Sequence, residues 1–304
     1  MTFLSSIIKN LNRIFKSMVL LAASLLLRGS AQGQISITSG VLSYSQNFDT
    51  LTTNNANNQT WTDNTATPSI KDAPRVVGLA GWYAAAFTSS TDSGTNGFQT
   101  LRGSDGSRTA PAFYSFGTDG NSDRALGTLP NTGGTVYGAL RLGVRFVNNT
   151  GRVITGFTFS YDGEQWGAAN ISSAPALNNQ FTFSYNVFGA GLGTLANSAY
   201  TDDANGDFNT PHDGVAATPT GTSTALDGNA AGNRIAGIGD TIAGLSVAAG
   251  EEIWLRWSDA ATANNAMAIG IDNFTVAFAV PEPTSVALVG MGASLIWCQL
   301  RRRK

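Results

Sequence analysis

Cysteine, histidine and lysine are nearly missing from this sequence. Its 304 residues hold one cysteine, Cys298, and one histidine, His212. A single thiol forms no intrachain disulfide, and a single imidazole, set here between Pro211 and Asp213, builds no zinc or iron–sulfur centre. Nucleophiles that rely on a neighbouring histidine have little to draw on. Lys71 is the only lysine between residues 34 and 279, where nine arginines carry the rest of the positive charge. That stretch has ten basic and nineteen acidic residues, a formal charge of −9, which disfavours a nucleic-acid partner. Charged residues make up only 12% of the chain, and 35 glycines accompany many Asn, Thr and Ser. A surface so poor in charge argues against coiled coils and solvated helical bundles, while the 42% of hydrophobic residues are enough to fill a core.

The two ends read as targeting segments. Lys9, Arg13 and Lys16 precede an apolar run from Met18 to Leu27, followed by Arg28 and the small residues Gly29, Ser30 and Ala31. Basic, apolar and small segments in that order predict a secretory signal peptide over residues 1–31, with a buried N-terminal helix as the competing reading. At the other end, Pro281-Glu282-Pro283 precedes an apolar stretch from Thr284 to Leu300, and Arg301, Arg302, Arg303 and Lys304 follow. A helix over 284–300 would reach about 25 Å, enough to cross a thin bilayer with its basic end in the cytoplasm. This three-part tail, residues 280–304, resembles the PEP-CTERM sorting signal of Gram-negative bacteria. The resemblance implies exosortase and the secretion machinery as partners, and transient anchoring in the inner membrane through the tail helix. It further implies removal of the tail and delivery to the cell surface or an extracellular polysaccharide matrix. An anchor that is never processed is the alternative. Cys298 lies within the tail, so the body itself has no thiol and must be held by its core and its sheet ladders.

Residues 34–279 alternate with the period of half-buried strands. Leu140, Leu142, Val144 and Phe146 share one face, as do Phe157, Phe159 and Tyr161, and again Phe181, Phe183, Tyr185 and Val187. Ile253, Leu255 and Trp257 form another such set. Phe274, Val276 and Phe278 form the last, with Ile269 and Ile271 of opposite parity, which predicts a bulge near Asp272-Asn273. No helical period lies between these runs and no internal repeat is present, so parallel βαβ units, propellers and β-helices are excluded. The expected fold class is all-β: one antiparallel two-sheet β-sandwich, jelly-roll-like, flanked by the signal helix and the membrane helix. Leu51–Ile70 and Asp202–Gly232 read as long surface loops.

Short motifs punctuate this body: Asn47-Phe48-Asp49, Gly81-Trp82-Tyr83, Tyr114-Ser115-Phe116-Gly117, Asp123-Arg124-Ala125-Leu126-Gly127, and Tyr161-Asp162-Gly163-Glu164-Gln165-Trp166. Leu226-Asp227-Gly228-Asn229, Asn233-Arg234, Ile253 to Asp259 and Ile271-Asp272-Asn273-Phe274 complete the series. Their order resembles an uncharacterised class of secreted bacterial β-sandwich modules. Members of that class carry an arginine where this chain has Gly167, and end in a doubled Asp preceded by a His where this chain has Asp272-Asn273. Any site built on that Arg or His is therefore absent, and the resemblance implies fold and secretion only.

Three groups of residues invite chemical readings. Glu164 stands beside Trp166, where an apolar neighbour would raise its pKa and suit it to general-acid work, with Asp162, Asp259 or Asp272 as the second carboxylate a glycosidase needs. The plainer reading pairs Glu164 with Arg124 or Arg256. Trp254 and Arg256 point away from the Leu255 face, and with Trp82 they would offer a sugar-stacking platform if exposed, or core if covered. Asp203, Asn205 and Asp207 place oxygens at alternate positions like the start of a calcium loop. Phe208 and Gly214 then break the pattern, leaving either a loose calcium site or a solvated acidic turn; no other cofactor is expected. Glu251 and Glu252 directly precede a strand, where turn acids are commonly solvated. The expected function is that of a secreted, surface- or matrix-directed, non-enzymatic protein that binds extracellular polysaccharide. A glycan hydrolase with Glu164 as its acid and a structural matrix protein without a ligand are the alternatives.

Overall fold

The computed structural model describes residues 34–281, apart from 57, 61–70, 73–78, 88–99, 109–110, 131–138, 169–178, 196–198, 213–223 and 261–266. The signal segment, Glu282, Pro283, the 284–300 stretch and Arg301 to Arg303 thus lie outside the described residues. No helix among the described residues is long and apolar enough to cross a membrane.

The first strands are β1 (Ile35–Thr38), β2 (Ser43–Gln46), β3 (Asn58–Thr60), β4 (Lys71–Asp72), β5 (Trp82–Phe87) and β6 (Thr100–Ser104). Next come β7 (Ala112–Phe116), β8 (Ala125–Leu129), β9 (Ala139–Asn149), β10 (Ile154–Ala168) and β11 (Gln180–Phe188). The chain continues through β12 (Thr201–Asp202), a 3₁₀ turn at Ala204–Gly206, β13 (Phe208–Asn209), β14 (Thr224–Ala225), β15 (Arg234–Val247), β16 (Glu252–Ala260) and β17 (Ala268–Ala279). They form two sheets. One runs β12-β11-β16-β9-β5-β4, with β1 on β9 and β13 on β11; the other runs β14-β10-β17-β8-β7-β6-β3, with β15 on β10 and β2 on β17. The pairing is antiparallel except at β1–β9 and β6–β7, which are parallel, a departure from the purely antiparallel expectation. At β9 the reason is visible. β5 covers residues 139–144 of β9, and β1 takes over the vacated edge at 146–149.

The apolar parities place the core between the sheets. Phe159 stacks on Phe183 at 4.1 Å, Phe146 meets Phe278 at 5.0 Å, and Trp257 packs edge-on against Phe274 and Tyr161. Rings of this size supply much of the buried apolar area of a sandwich with no disulfide. The intervening positions face outward: Thr158 is exposed, and Ser160 and Thr182 are partly so. Ser184 is buried, its hydroxyl accepting from Arg256 Nε.

The Asp202–Gly232 segment is not simply a surface loop. Phe208 is fully buried, and its ring lies where a Cβ on Gly163 would stand, so a glycine in β10 admits a residue from a distant turn into the core. Leu51, at the start of the other assigned loop, is buried as well.

On the outer face of the second sheet, four strands lie in register. Ser45, Thr275, Ser160 and Gly239 form one row, and Ser43, Ala277, Thr158 and Thr241 the next. The two rows hold no charged residue, and the Thr158 and Thr241 hydroxyls bond at 2.9 Å. β15 is the outermost strand here, and among the described residues it pairs with β10 alone.

Candidate functional site

Beyond these rows the same face changes character, and a bulge is the cause. Between Ser160↔Thr275 and Asp162↔Asp272 the ladder takes two steps on β10 but three on β17, and Asn273 absorbs the extra residue at φ 50°. The parity of β17 flips there. Phe274 and Val276 point into the core, and Asp272, which unbroken alternation would also bury, turns to the outer face beside Asp162 and diagonally across from Glu164.

The pocket so formed is sealed. Glu164 is 0% exposed and Asp272 3%. Glu164 Oε2 accepts from Trp166 Nε1 at 2.8 Å, and the Trp166 ring lies parallel to Phe116 at 6.0 Å. The segment after β14 closes over the indole at Gly228, where a Cβ would stand 2.3 Å from Trp166 Nε1, so only glycine passes. Asp162 is fully engaged, accepting from Gly237 N at 2.9 Å and Asn273 Nδ2 at 3.1 Å and facing Arg234 at 3.7 Å. The remaining oxygens, Glu164 Oε1 and Asp272 Oδ1, are buried without a hydrogen-bond partner.

Burial dominates the electrostatics. Glu164 is pushed up to about 7 by loss of water, with the negative charges of Asp123 and Asp162 adding and the Trp166 indole and Arg234 opposing. Asp272 is pushed up to about 8, first by burial and then by the charge of Glu164; Asp123 and Asp49 add and the Asn273 amide opposes. Of the three carboxylates that sequence made equal partners for Glu164, the register selects Asp272. Asp162 is occupied as described. Asp259 sits between the sheets, where its Oδ2 accepts from Thr128 Oγ1 at 2.5 Å and burial holds its carboxyl well above the usual range. The expected pairing of Glu164 with Arg124 or Arg256 does not form. Arg124 is spent on Ser115, Thr118 O and Asn55, and Arg256 belongs to the other sheet.

Of the two readings of the Trp82, Trp254 and Arg256 set, exposed platform or core, burial selects core. Trp82 is 0% exposed, its indole donating to Tyr44 Oη at 3.0 Å, and it stacks on Trp257 in the core. Trp254 (1% exposed) does point to the outer face of the first sheet, as its parity requires. There Tyr83, Phe188, Leu195 and Tyr200 cover it, forming a second small core. Arg256, 8% exposed, lies 3.7 Å over the Tyr200 ring. Glu252 is not solvated either. It is 1% exposed, bonded to Arg145 Nη2 at 2.5 Å and to Trp254 Nε1 at 2.8 Å, and it accepts from the Gly191 amide.

The calcium-like segment has other duties. Asp207 accepts from Phe183 N at 2.7 Å and Gln180 Nε2 at 2.8 Å, Asn205 donates to Asp240 at 2.7 Å, and Asp203 Oδ1 caps the 3₁₀ turn. Among the described residues no three Asp, Glu, His or Cys groups stand close enough to hold a metal ion as they are. His212 bonds Asn233 Oδ1 at 2.7 Å, and Pro281 is exposed at the end of the described chain. Asp49 and Asp123 escaped the sequence reading as site residues, although both belong to its motifs. Both are exposed, and they act on the buried pair through charge alone.

No family model matches the chain, and no curated protein matches it significantly. Among solved structures it is similar to TmCBM61 in complex with β-1,4-galactotriose, at 9% identity and TM-score 0.23, covering 52% of this chain and 72% of that one. It is also similar to the K3 cleaved adhesin domain of Lys-gingipain from Porphyromonas gingivalis w83, at 14% identity and TM-score 0.33, covering 65% and 91%. A candidate glycoside hydrolase from Bacteroides vulgatus ATCC 8482 matches at 9% identity and TM-score 0.32, covering 81% and 100%. Scores this low carry no functional inference for this chain.

Proposed function

We propose that this chain is an exported β-sandwich protein, jelly-roll-like in its connections, that binds extracellular polysaccharide without cleaving it. In this reading residues 1–31 direct export. The Pro281-Glu282-Pro283 tail, ending in Arg301, Arg302 and Arg303, is sorted by exosortase to the surface or matrix of a Gram-negative cell. The observation that carries polysaccharide binding is the exposed face across β2, β17, β10 and β15. Its rows of Ser and Thr hydroxyls with small Ala and Gly between them form an uncharged surface that a neutral glycan chain meets without repulsion. The test is retention of the purified chain on a glycan array, with Thr158→Asp and Thr275→Asp as variants. Retention lost in both variants, with circular dichroism unchanged, supports the reading; binding to no glycan favours a structural matrix protein without a ligand. Deleting Thr284 to Lys304 should release the body from the envelope, and equal retention of the truncated chain would refute the sorting role.

A hydrolase is the second reading, and the raised carboxyl pair Glu164 and Asp272 favours it, because a general acid needs its proton near neutral pH. Their burial weighs against it. A glycosidic oxygen must come within about 3 Å of the acid, and both carboxyls are closed off. Release of reducing ends that disappears in Glu164→Gln would establish it.

A further inference from the structure

We infer that the end of the sandwich from which the chain leaves at Pro281 is a docking face for the surface of a lipid bilayer, on which the body rests while the tail is attached. The inference rests on the reading of 284–300 as a membrane anchor. Strand register assembles this end. Val147↔Glu252 and Phe188↔Glu252 bring the end of β9 and the end of β11 to the start of β16, and Thr38↔Asn149 adds the end of β1. In the second sheet, Ile154↔Val247 and Gly156↔Ala279 set the start of β10 beside the ends of β15 and β17, and Leu42 O accepts from Phe278 N. Four turns, 38–41, 149–153, 189–192 and 248–251, therefore share one end with the chain exit.

Hydrogen bonds tie these turns into one base. Asn148 N donates to Glu251 O at 2.9 Å, Gly250 N to Asn148 O at 2.7 Å, and Asn148 Nδ2 to Arg152 O at 2.7 Å. The Gly191 amide donates to Glu252, and Arg152 Nη1 reaches Pro281 O at 3.5 Å.

The surface of this base is apolar and without net charge. Among the described residues four large hydrophobic side chains are exposed, and three of them are here: Leu192, 71% exposed, with Val41 and Val153. The fourth, Ile235, lies toward the opposite end, where β15 begins. A single exposed apolar residue means little, but these three stand on three of the four turns around the exit. Val41 precedes β2 and Val153 precedes β10, the two strands that flank the departing β17. The four turns hold two charged residues, Arg152 and Glu251, whose charges cancel. On a body of formal charge −9, anionic headgroups repel most faces but not this one. The tether then fixes the orientation. Only Glu282 and Pro283 separate Pro281 from the apolar stretch that begins at Thr284, and three residue steps span at most about 11 Å.

The test puts one reporter on the full chain. With Cys298→Ser removing the native thiol, Ala249→Cys in the 248–251 turn carries a fluorescent label, and Ala231→Cys, exposed near the start of β15, is the control. Each labelled chain is reconstituted into vesicles of phosphatidylcholine and phosphatidylglycerol containing a lipid with a nitroxide just below its headgroup. The nitroxide should remove about half or more of the emission at 249 and leave that at 231 unchanged, because interfacial apolar groups sit about 5–10 Å into the headgroup boundary. Val41→Asp, Val153→Asp and Leu192→Asp together, all at exposed positions, should abolish the quenching while the chain still floats with the vesicles. A chain that floats but is quenched no more at 249 than at 231 refutes the docking and leaves the anchor standing. A chain that does not float refutes the anchor, and the docking with it. Quenching that survives the triple variant overturns the docking too, as does a label at 249 that leaves water without nitroxide quenching, which would mean that a second copy covers this end.

Discussion

Replacing Glu252 by Leu removes the one carboxylate shared by Arg145, Trp254 and the Gly191 amide. Burial alone would lower Arg145, but its hydrogen bonds to Glu252 and Tyr83 outweigh that and hold it above its ordinary value, so the guanidinium stays charged. With Glu252 gone, that charge loses its carboxylate and keeps Tyr83, at 4% exposure. Breaking a buried pair from one side costs about 3–5 kcal/mol, a large part of the 5–15 kcal/mol typical of a folded domain. In urea, at a slope of about 3 kcal/mol/M, the midpoint should fall by roughly 1 to 1.7 M. The double variant Arg145→Met/Glu252→Leu removes the buried charge and should recover all but about 2 kcal/mol, the share of the indole and Gly191 N–H groups left unbonded. Limited proteolysis should also cut first in the 189–195 segment of the single variant, because Glu252 holds that segment over Trp254. A loss below about 1 kcal/mol, or a double variant no more stable than the single, would refute the idea that a buried charge without its carboxylate sets the cost.

Stability should also depend on pH in a definite sense. The folded state holds the protons of Glu164 and Asp272 to about 7 and 8, while the unfolded chain releases them near 4.5 and 3.8. Raised carboxyls stabilise at low pH, and that stability is lost as pH rises from about 4 to about 7 for Glu164 and about 8 for Asp272. The loss is roughly 3 kcal/mol from Glu164 alone at about 1.4 kcal/mol per pH unit; urea midpoints rising steadily from pH 5.5 to 9 would contradict it. Phe183→Ala should cost about 3–5 kcal/mol by calorimetry or urea, since the ring stacks on Phe159 and packs against Trp257. Asn273→Val should cost about 1–3 kcal/mol, because a branched residue resists φ 50°, while Asn273→Gly should cost far less. Equal effects of Val and Gly would mean that the bulge does not depend on that conformation.

The long strands could be read from the chain because their information is local. Period-two alternation at 140–146, 157–161 and 181–187 requires only the neighbouring residues, and the parity break before Phe274 even marked the bulge. What lay beyond reach depended on distant residues. Alternation showed that Trp254 faces away from Leu255, but not that Phe188, Leu195 and Tyr200 would cover it. Phe208 looked like part of a loop because the cavity that receives it belongs to Gly163, on another strand. Glu252 looked solvated because Arg145 is far away in sequence. For the site, Glu164 stood out by its neighbour Trp166. Which of three aspartates would lie on its face could not be told until the strand register set Asp272 diagonally across from it.

Among the described residues β15 gives the sheet a fourteen-residue outer margin, and such a margin is hazardous wherever copies of one chain are crowded together. A straight margin would let a neighbouring molecule extend the ladder and grow a fibre. Gly237 and Gly244 both take left-handed φ, 71° and 77°, so the strand is kinked twice within eight residues. A foreign strand can zip only the short pieces between kinks. This chain has almost no lysine with which to repel such contacts, and backbone shape performs the task that charge performs elsewhere. A Gly237→Val/Gly244→Val change would force two branched residues into left-handed φ, and would thus threaten the strand itself along with the protein's solubility at high local concentration.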